Sequence, residues 1–374
     1  MFTTPRTLTY SGKNLEQMKK ENKVPAHALA ELRRKADGHL ESPVMAVIYR
    51  NAVPVTKNRH EYSSLGPYWW PNPDTPDGLP YIRKDGVVNP DYAEKIHFPT
   101  LCQTIHELSL AAYYFEEKKY AEKAVKMIYD WFLNPETYMV PHAQYAQAIP
   151  GVSEGRGIGI VDFDYSFKIF DGIAILESMD AISEDIVKGV KDWYVKFTDW
   201  MITSENGLDE DMQANNHGTF FDVAVLAAAI FTGRKFLADK ICTTAYERRF
   251  KPHVKPDGSQ PLELERTRGM NYSLQTTRGL MLIANMAKKC GYNHFLEKDK
   301  DCGVCLVKAT VDFIYPYAVA PETFPYEEIK YEYVPEEITD ILLRTDILFP
   351  GEGYAEKAKQ FVKGPYMCLT YPLA

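Results

Sequence analysis

The sequence predicts an all-α protein: a closed or nearly closed (α/α)n toroid, or incomplete barrel, of helical hairpins with a long aromatic loop as its lid. Three observations lead there. Helical periodicity dominates the chain after Pro90. Apolar and amphipathic helices then alternate about every 50 to 70 residues, a supersecondary spacing typical of repeats. Strand-like alternation is nearly absent from that region. A helix apolar on most faces needs cover all round, so the apolar member of each pair faces inward and the amphipathic one faces water.

The elements follow in order. "LEQMKKENKVPAHALAELRRKADGHLE" predicts one or two N-terminal helices. "YSSLGPYWWPNPDTPDGLPYIRKDGVVNPD" has no helical period, and its length and density of rings point to a lid or binding loop. The apolar helices are expected in the segments beginning at Asp91, Val161, Gly218 and Ser273. Their amphipathic partners are "KYAEKAVKMIYDWFL", "EDIVKGVKDWYVKFTDWMI", "KFLADKICTTAYERRF" and "KDCGVCLVKATVDFIY". The proline- and tyrosine-rich tail is expected to wrap the ring as irregular chain. One catalytic domain, 1–374, results: N-terminal helices and lid loop over 1–90, hairpins over 91–315, tail over 316–374.

Bulk composition narrows the partner. With 45% hydrophobic and 25% charged residues, neither disorder nor a fibre fits. A net charge of −8 gives no broad positive field to gather phosphates, which argues against a nucleic-acid partner. No apolar run reaches the roughly 18 residues of a membrane span. The first residues lack the apolar region of a secretory signal, so the chain is expected to be either cytosolic or shorn of a leader. Six scattered cysteines are too few for a disulfide scaffold, and the lone Cys302-x-x-Cys305 has no second pair to complete a zinc site. No metal or other cofactor is called for by any visible pattern.

Four clusters carry the candidate chemistry. Asn215, Asn216 and His217 stand at the start of the apolar helix that Gly233 ends; they serve either as an N-cap or as donors for a carboxylate or developing oxyanion. "LELERTRGMNY" crowds Glu263, Glu265, Arg266, Arg268 and Tyr272 ahead of the next apolar helix, beside that corner by the hairpin spacing. "VPHAQYAQAIPGVSEGRGIGIVDF" offers His142, Gln144, Gln147, Glu154 and Arg156; its glycines miss the dinucleotide spacing and are expected to let the loop bend close to a bound chain. Tyr68, Trp69 and Trp70 offer either a core plug or planar faces for sugar rings.

Together "YSSLGPYWWPNPD", "AQAIPG", "GRGIGIVDF" and "NNHGTFFDV" resemble the alginate lyase family of helical-toroid polysaccharide lyases, over the chain from about Tyr62 to the last hairpin. The resemblance is nearest to members that cleave poly-mannuronate or glucuronan. It implies a polysaccharide lyase acting on an anionic 4-linked polyuronate, in the bacterial periplasm or outside the cell. It implies that Asn216, His217 and an arginine bind the uronate carboxylate while Tyr272 handles protons. Arg266 and Arg268 both precede Tyr272 at suitable spacing, and Arg266 is the choice here. His142 stands where many relatives carry asparagine. Tyr68, Trp69, Trp70, His142, Gln147, Arg156, Asn215 and Arg268 complete the expected substrate-binding set.

The chemistry explains the residue types. β-Elimination removes the proton at C5, beside the carboxylate, and expels O4; donors on the carboxylate stabilise the enediolate-like state that forms. A phenol ionises near pH 10, so forming phenolate at neutral pH costs about 4 kcal/mol, which a neighbouring cation reduces. With mannuronate both protons lie on one face and a single tyrosine serves both. For glucuronate the alternative reading makes His217 the base and Tyr272 the acid. Two other readings compete: an inverting hydrolase with Glu154 and Glu265 about 6.5 to 9.5 Å apart, and a non-catalytic polysaccharide-binding protein using its tryptophans. Arg59, Arg83, Lys84, Arg156, Arg266 and Arg268 supply the local positive charge an acidic polymer needs.

Overall fold

The computed structural model describes residues 3–361, except 44, 51, 91–96 and 330–334, and residues 366–372. The helices run in chain order as α1 (Gly12–Lys20), α2 (Ala26–Leu40), α3 (His97–Phe115), α4 (Lys118–Phe132), α5 (Ser166–Ser178), α6 (Glu184–Thr203) and α7 (Glu205–Asp211). They continue as α8 (Asn216–Thr232), α9 (Lys235–Ala245), α10 (Lys251–His253), α11 (Pro261–Leu264), α12 (Gly269–Lys289), α13 (Leu306–Val319), α14 (Pro335–Leu348) and α15 (Tyr354–Lys359). The expected hairpins are therefore α3/α4, α5/α6, α8/α9 and α12/α13. The first was expected to start at Asp91, but 91–96 lie outside the described residues.

The chain divides into two compact units. The first is built on Arg33–Met212 with Ala227–Gly233; the second on Thr7–Leu32, Gln213–Leu226 and Arg234–Ala374, so the division passes through α8.

In the first unit α3 and α5 lie side by side. Gly172 of α5 permits this, since a Cβ there would stand 3.0 Å from Ser109 Oγ of α3. Rings fill the space between helices: Phe98 meets Trp131 at 5.4 Å and Phe163 at 4.6 Å between centroids, and Phe163 meets Phe197 at 4.9 Å. Local signals set the helix starts. Ser183 accepts the Ile186 N–H at the head of α6 (3.4 Å), where Glu184 and Asp185 also suit the helix dipole. Ser204 does the same for Gly207 of α7 at 3.0 Å. Among the described residues four short strands occur: β1 (Ser63–Leu65), β2 (Trp69–Trp70) and β3 (Ile82–Arg83) in the aromatic segment, and β4 (Tyr145–Ala148) in the region after Pro90, where strand-like alternation was expected to be nearly absent. β1 pairs with β4 in parallel and β2 with β3 antiparallel, Trp69 opposite Arg83 and Trp70 opposite Ile82. Two to four residues are too few to show alternation in sequence.

The second unit packs α12 against α13, α14 and α9. Its α12 is buried along most of its length from Met270 to Ala287, and Gly279 leaves room for Thr219, whose methyl a Cβ would meet at 2.8 Å. The tail is the main correction. The irregular wrap expected from residue 316 contains α14 and α15, and α13 runs through Pro316 to Val319. Proline misled the reading because α14 begins at Pro335, in the first turn, where the missing N–H has no partner to lose. Among the described residues no helix is long and apolar enough to cross a membrane.

Candidate active site

Helix α8 begins at Asn216, and the turn before it is organised by side chains. Asn215 Oδ1 accepts the His217 N–H at 3.2 Å, filling the cap position. The Asn216 N–H is left for a distant partner, and Glu263 Oε1 accepts it at 2.7 Å. Gly218 lets the corner close: a Cβ there would fall 2.1 Å from the Gln213 carbonyl oxygen and 2.6 Å from Arg249 Nη1. Arg249 is itself fixed by a buried two-pronged pair with Asp222 of α8, Nε to Oδ2 at 2.9 Å and Nη2 to Oδ1 at 3.2 Å. Asn216 is 3% exposed and its Oδ1 has no hydrogen bond in the structure, while His217 is half-buried.

The loop expected beside this corner is there, joined to it by Glu263. It leads through α11 into α12, where Arg266 Nη2 donates to the Tyr272 hydroxyl at 3.2 Å and the guanidinium lies 4.3 Å from the ring centroid. A cation so placed favours negative charge developing on the phenol oxygen. Arg268 is a buried residue at the cap of α12, bridged in antiparallel fashion to Glu328. The Glu328 carboxylate accepts the N–H groups of Met270 (2.9 Å) and Asn271 (3.3 Å), satisfying the helix start. Glu265 is exposed.

In the first unit the familiar motifs interlock around Asp162. This buried carboxylate accepts from the Tyr62 hydroxyl (3.0 Å), Ser64 Oγ (2.7 Å) and Gln147 Nε2 (2.9 Å). Gln147, with φ +49°, returns its carbonyl to Arg156 Nε (2.8 Å) and its Oε1 to Arg156 Nη2 (3.2 Å). Expected to touch substrate, Gln147 is instead 2% exposed, its side-chain amide committed to Asp162 and Arg156. Burial pulls the Arg156 pKa down to about 10, against the support of Asp162, leaving a cation at neutral pH. Its guanidinium lies 6.0 Å from the Trp69 ring. Gly66 makes room for both, because a Cβ would stand 2.7 Å from each.

Trp69 and Trp70 are half-buried on the β2–β3 ribbon and so form no core plug. Trp70 Nε1 donates to the Val87 carbonyl at 2.9 Å, Lys84 Nζ lies 5.0 Å from its ring centroid, and Tyr68 is also half-buried. His142 stands 3.4 Å from Glu61, and burial lowers its pKa despite that carboxylate. The "GRGIG" glycines do not await a ligand. Cβ atoms at Gly155, Gly157 and Gly159 would strike the protein's own backbone, Gly155 at 1.9 Å from the Gln144 oxygen, so close chain packing explains them. Glu154 is exposed.

Helical hairpins carrying a phenol under a guanidinium, with an Asn-His corner tied to the same loop, define the class: a helical polysaccharide lyase. The alginate lyase family model matches residues 49–324, and the chain belongs to that family. It is similar to the crystal structure of an alginate lyase from Bacteroides ovatus, with 33% identity over 99% of this chain and 100% of that one and a TM-score of 0.93. Alginate lyase A1-III from Sphingomonas species A1 shares the fold at 12% identity and a TM-score of 0.58, covering 91% of this chain and 94% of that one. A variant of A1-III complexed with a tetrasaccharide gives 13% identity and a TM-score of 0.63, over 99% of this chain and 97% of that one. Comparison with curated proteins gave no match.

Sequence reasoning missed Glu328 and His253, and named Glu263 only as one charge in a crowd. The His253 ring is 1% exposed, with Nε2 3.1 Å from Glu263 Oε1 at an angle that makes no hydrogen bond. No spacing rule could pair them, since Glu328 and Met270 are 58 residues apart.

Proposed function

We propose that this lyase cleaves alginate at its mannuronate residues by β-elimination, with Asn216, His217 and Arg266 holding the uronate carboxylate and Tyr272 moving the protons. Tyr272 takes the C5 proton and returns one to the departing O4, which mannuronate presents on the same face. The contact between Arg266 and the Tyr272 hydroxyl at 3.2 Å carries this reading, because a guanidinium can stabilise a phenolate there while the substrate is deprotonated. Glu154 and Glu265 are both exposed, so neither lies in the enclosed apolar pocket that suits a hydrolase's general acid. Tyr68, Trp69, Trp70, His142, Arg156, Asn215 and Arg268 are assigned to the polymer, with Gln147 acting through Arg156. The two units are read as one catalytic domain, working on extracellular polymer or in the periplasm.

The test is a panel of purified poly-mannuronate, poly-guluronate and glucuronan, followed by the ultraviolet absorbance of unsaturated ends. Poly-mannuronate should give the fastest rise. Tyr272→Phe should lower kcat by about 10³-fold with binding retained. Full activity in that variant would overturn the assignment, and faster cleavage of glucuronan would make glucuronate, and not mannuronate, the substrate.

A further inference from the structure

We infer that Glu263 is a positioning residue of this site: its side chain holds the backbone of Asn216 and its carbonyl holds the backbone of Arg266, so one residue sets the spacing between the two halves of the carboxylate-binding group. The inference rests on the lyase reading above. Glu263 Oε1 accepts the Asn216 N–H at 2.7 Å, and the Glu263 carbonyl accepts the Arg266 N–H at 3.1 Å. The carboxylate is fully buried, with His253 Nε2 3.1 Å from its Oε1.

A local cap could have satisfied α8, and Asn215 already fills that position. The next free N–H nevertheless goes to a carboxylate 47 residues along the chain, and burying such a group carries a large desolvation cost that a surface cap avoids. The arrangement makes sense if it fixes distance. Asn216 and His217 lead α8 while Arg266 and Tyr272 flank the start of α12, and through Glu263 these two helix starts share one anchor. Donors that must meet one carboxylate in the transition state lose much of their effect if displaced by about an ångström, a change that can cost about 100-fold in rate. Negative charge beside the first turn of α8 also suits the helix dipole. That part of its role is structural and is separable by experiment.

Glu263→Ala removes the acceptor; Glu263→Gln keeps an oxygen at the same reach. On poly-mannuronate, kcat should fall about 100-fold in Glu263→Ala with KM within about threefold of the parent, and Glu263→Gln should recover at least about tenfold of the loss. Hydrogen exchange by mass spectrometry should show faster exchange in the peptide covering 215–219 in the alanine variant, restored in the glutamine one. A folded Glu263→Ala with parental kcat, or a Glu263→Gln no better than alanine, overturns the inference. Tyr272→Phe measured in parallel separates the two ideas. If it stays active the chemical reading fails; if it is dead while Glu263→Ala is normal, only the positioning role fails. Should none of the polyuronates be cleaved, unchanged exchange at 215–219 in Glu263→Ala still overturns the tether, and accelerated exchange rescued by glutamine supports it.

Discussion

At the scale of single residues, the site depends on what an arginine can do that a lysine cannot. Arg266 both donates to the Tyr272 hydroxyl and sets its guanidinium 4.3 Å from the ring centroid. A planar fork manages both at once, whereas an ammonium is a compact charge on a flexible stem. Arg266→Lys should therefore reduce kcat by about 10- to 100-fold while leaving the protein folded, measured by steady-state product absorbance beside a thermal melt. An unchanged kcat would show that the guanidinium geometry is incidental. Asn216 and His217 stand out in the sequence because they head an apolar helix, whereas Arg266 and Tyr272 emerge from a crowded loop through the family resemblance. Glu263, His253 and Glu328 do not stand out. Their partners are remote in the chain, and a glutamate in a charged run looks like any solvated one until its burial is seen. Gln147 is the converse case: its place in "AQAIPG" suggested a ligand contact, but its left-handed backbone turns the side chain toward Asp162.

At the scale of elements, apolar runs such as those of α5 and α8 left no reading but buried helix, whereas the tail hid its helices behind prolines that suit a first turn. Two predictions belong here. Gly218→Ala places a methyl 2.1 Å from a backbone oxygen that cannot swing away, so it should destabilise by about 2 to 4 kcal/mol in denaturant unfolding and lower activity with it. An alanine variant of parental stability would mean the corner yields easily. The second concerns α2 and α3, joined by Glu107. Burial pushes that carboxyl up, but hydrogen bonds from His39 (2.6 Å) and Gln103 (2.7 Å) and the charge of Lys35 draw it further down, from an ordinary 4.5 to about 2. A folded-state pKa below the unfolded one adds stability at pH above 4.5 that fades as the pH falls toward 2, on the order of 3 kcal/mol for this shift. The urea midpoints of the parent and Glu107→Gln should accordingly differ most near pH 6 and converge only as the pH falls to about 2. A constant gap across that range would mean that shape, and not charge, is what Glu107 contributes.

At the scale of the whole molecule, a protein of net charge −8 is proposed to bind a polyanion. The total and the site pull in opposite directions. Arg156 keeps its charge at neutral pH even with its pKa drawn down to about 10, and Arg266 is turned to the phenol. Salt screens charges beyond about 10 Å at 0.1 M and weakens contacts at bonding distance much less. If the arginines dominate, rising salt should raise the KM for poly-mannuronate several-fold between about 0.05 and 0.5 M, because approach of a long polymer is steered by the lining. kcat should hold nearly constant, since salt weakens contacts at bonding distance little. If the net negative field dominates, KM should fall with salt as repulsion is screened. Initial rates over a salt series, with poly-mannuronate chains of two lengths, decide between them. Longer chains carry more charge past the surface and should show the steeper slope in whichever direction it runs.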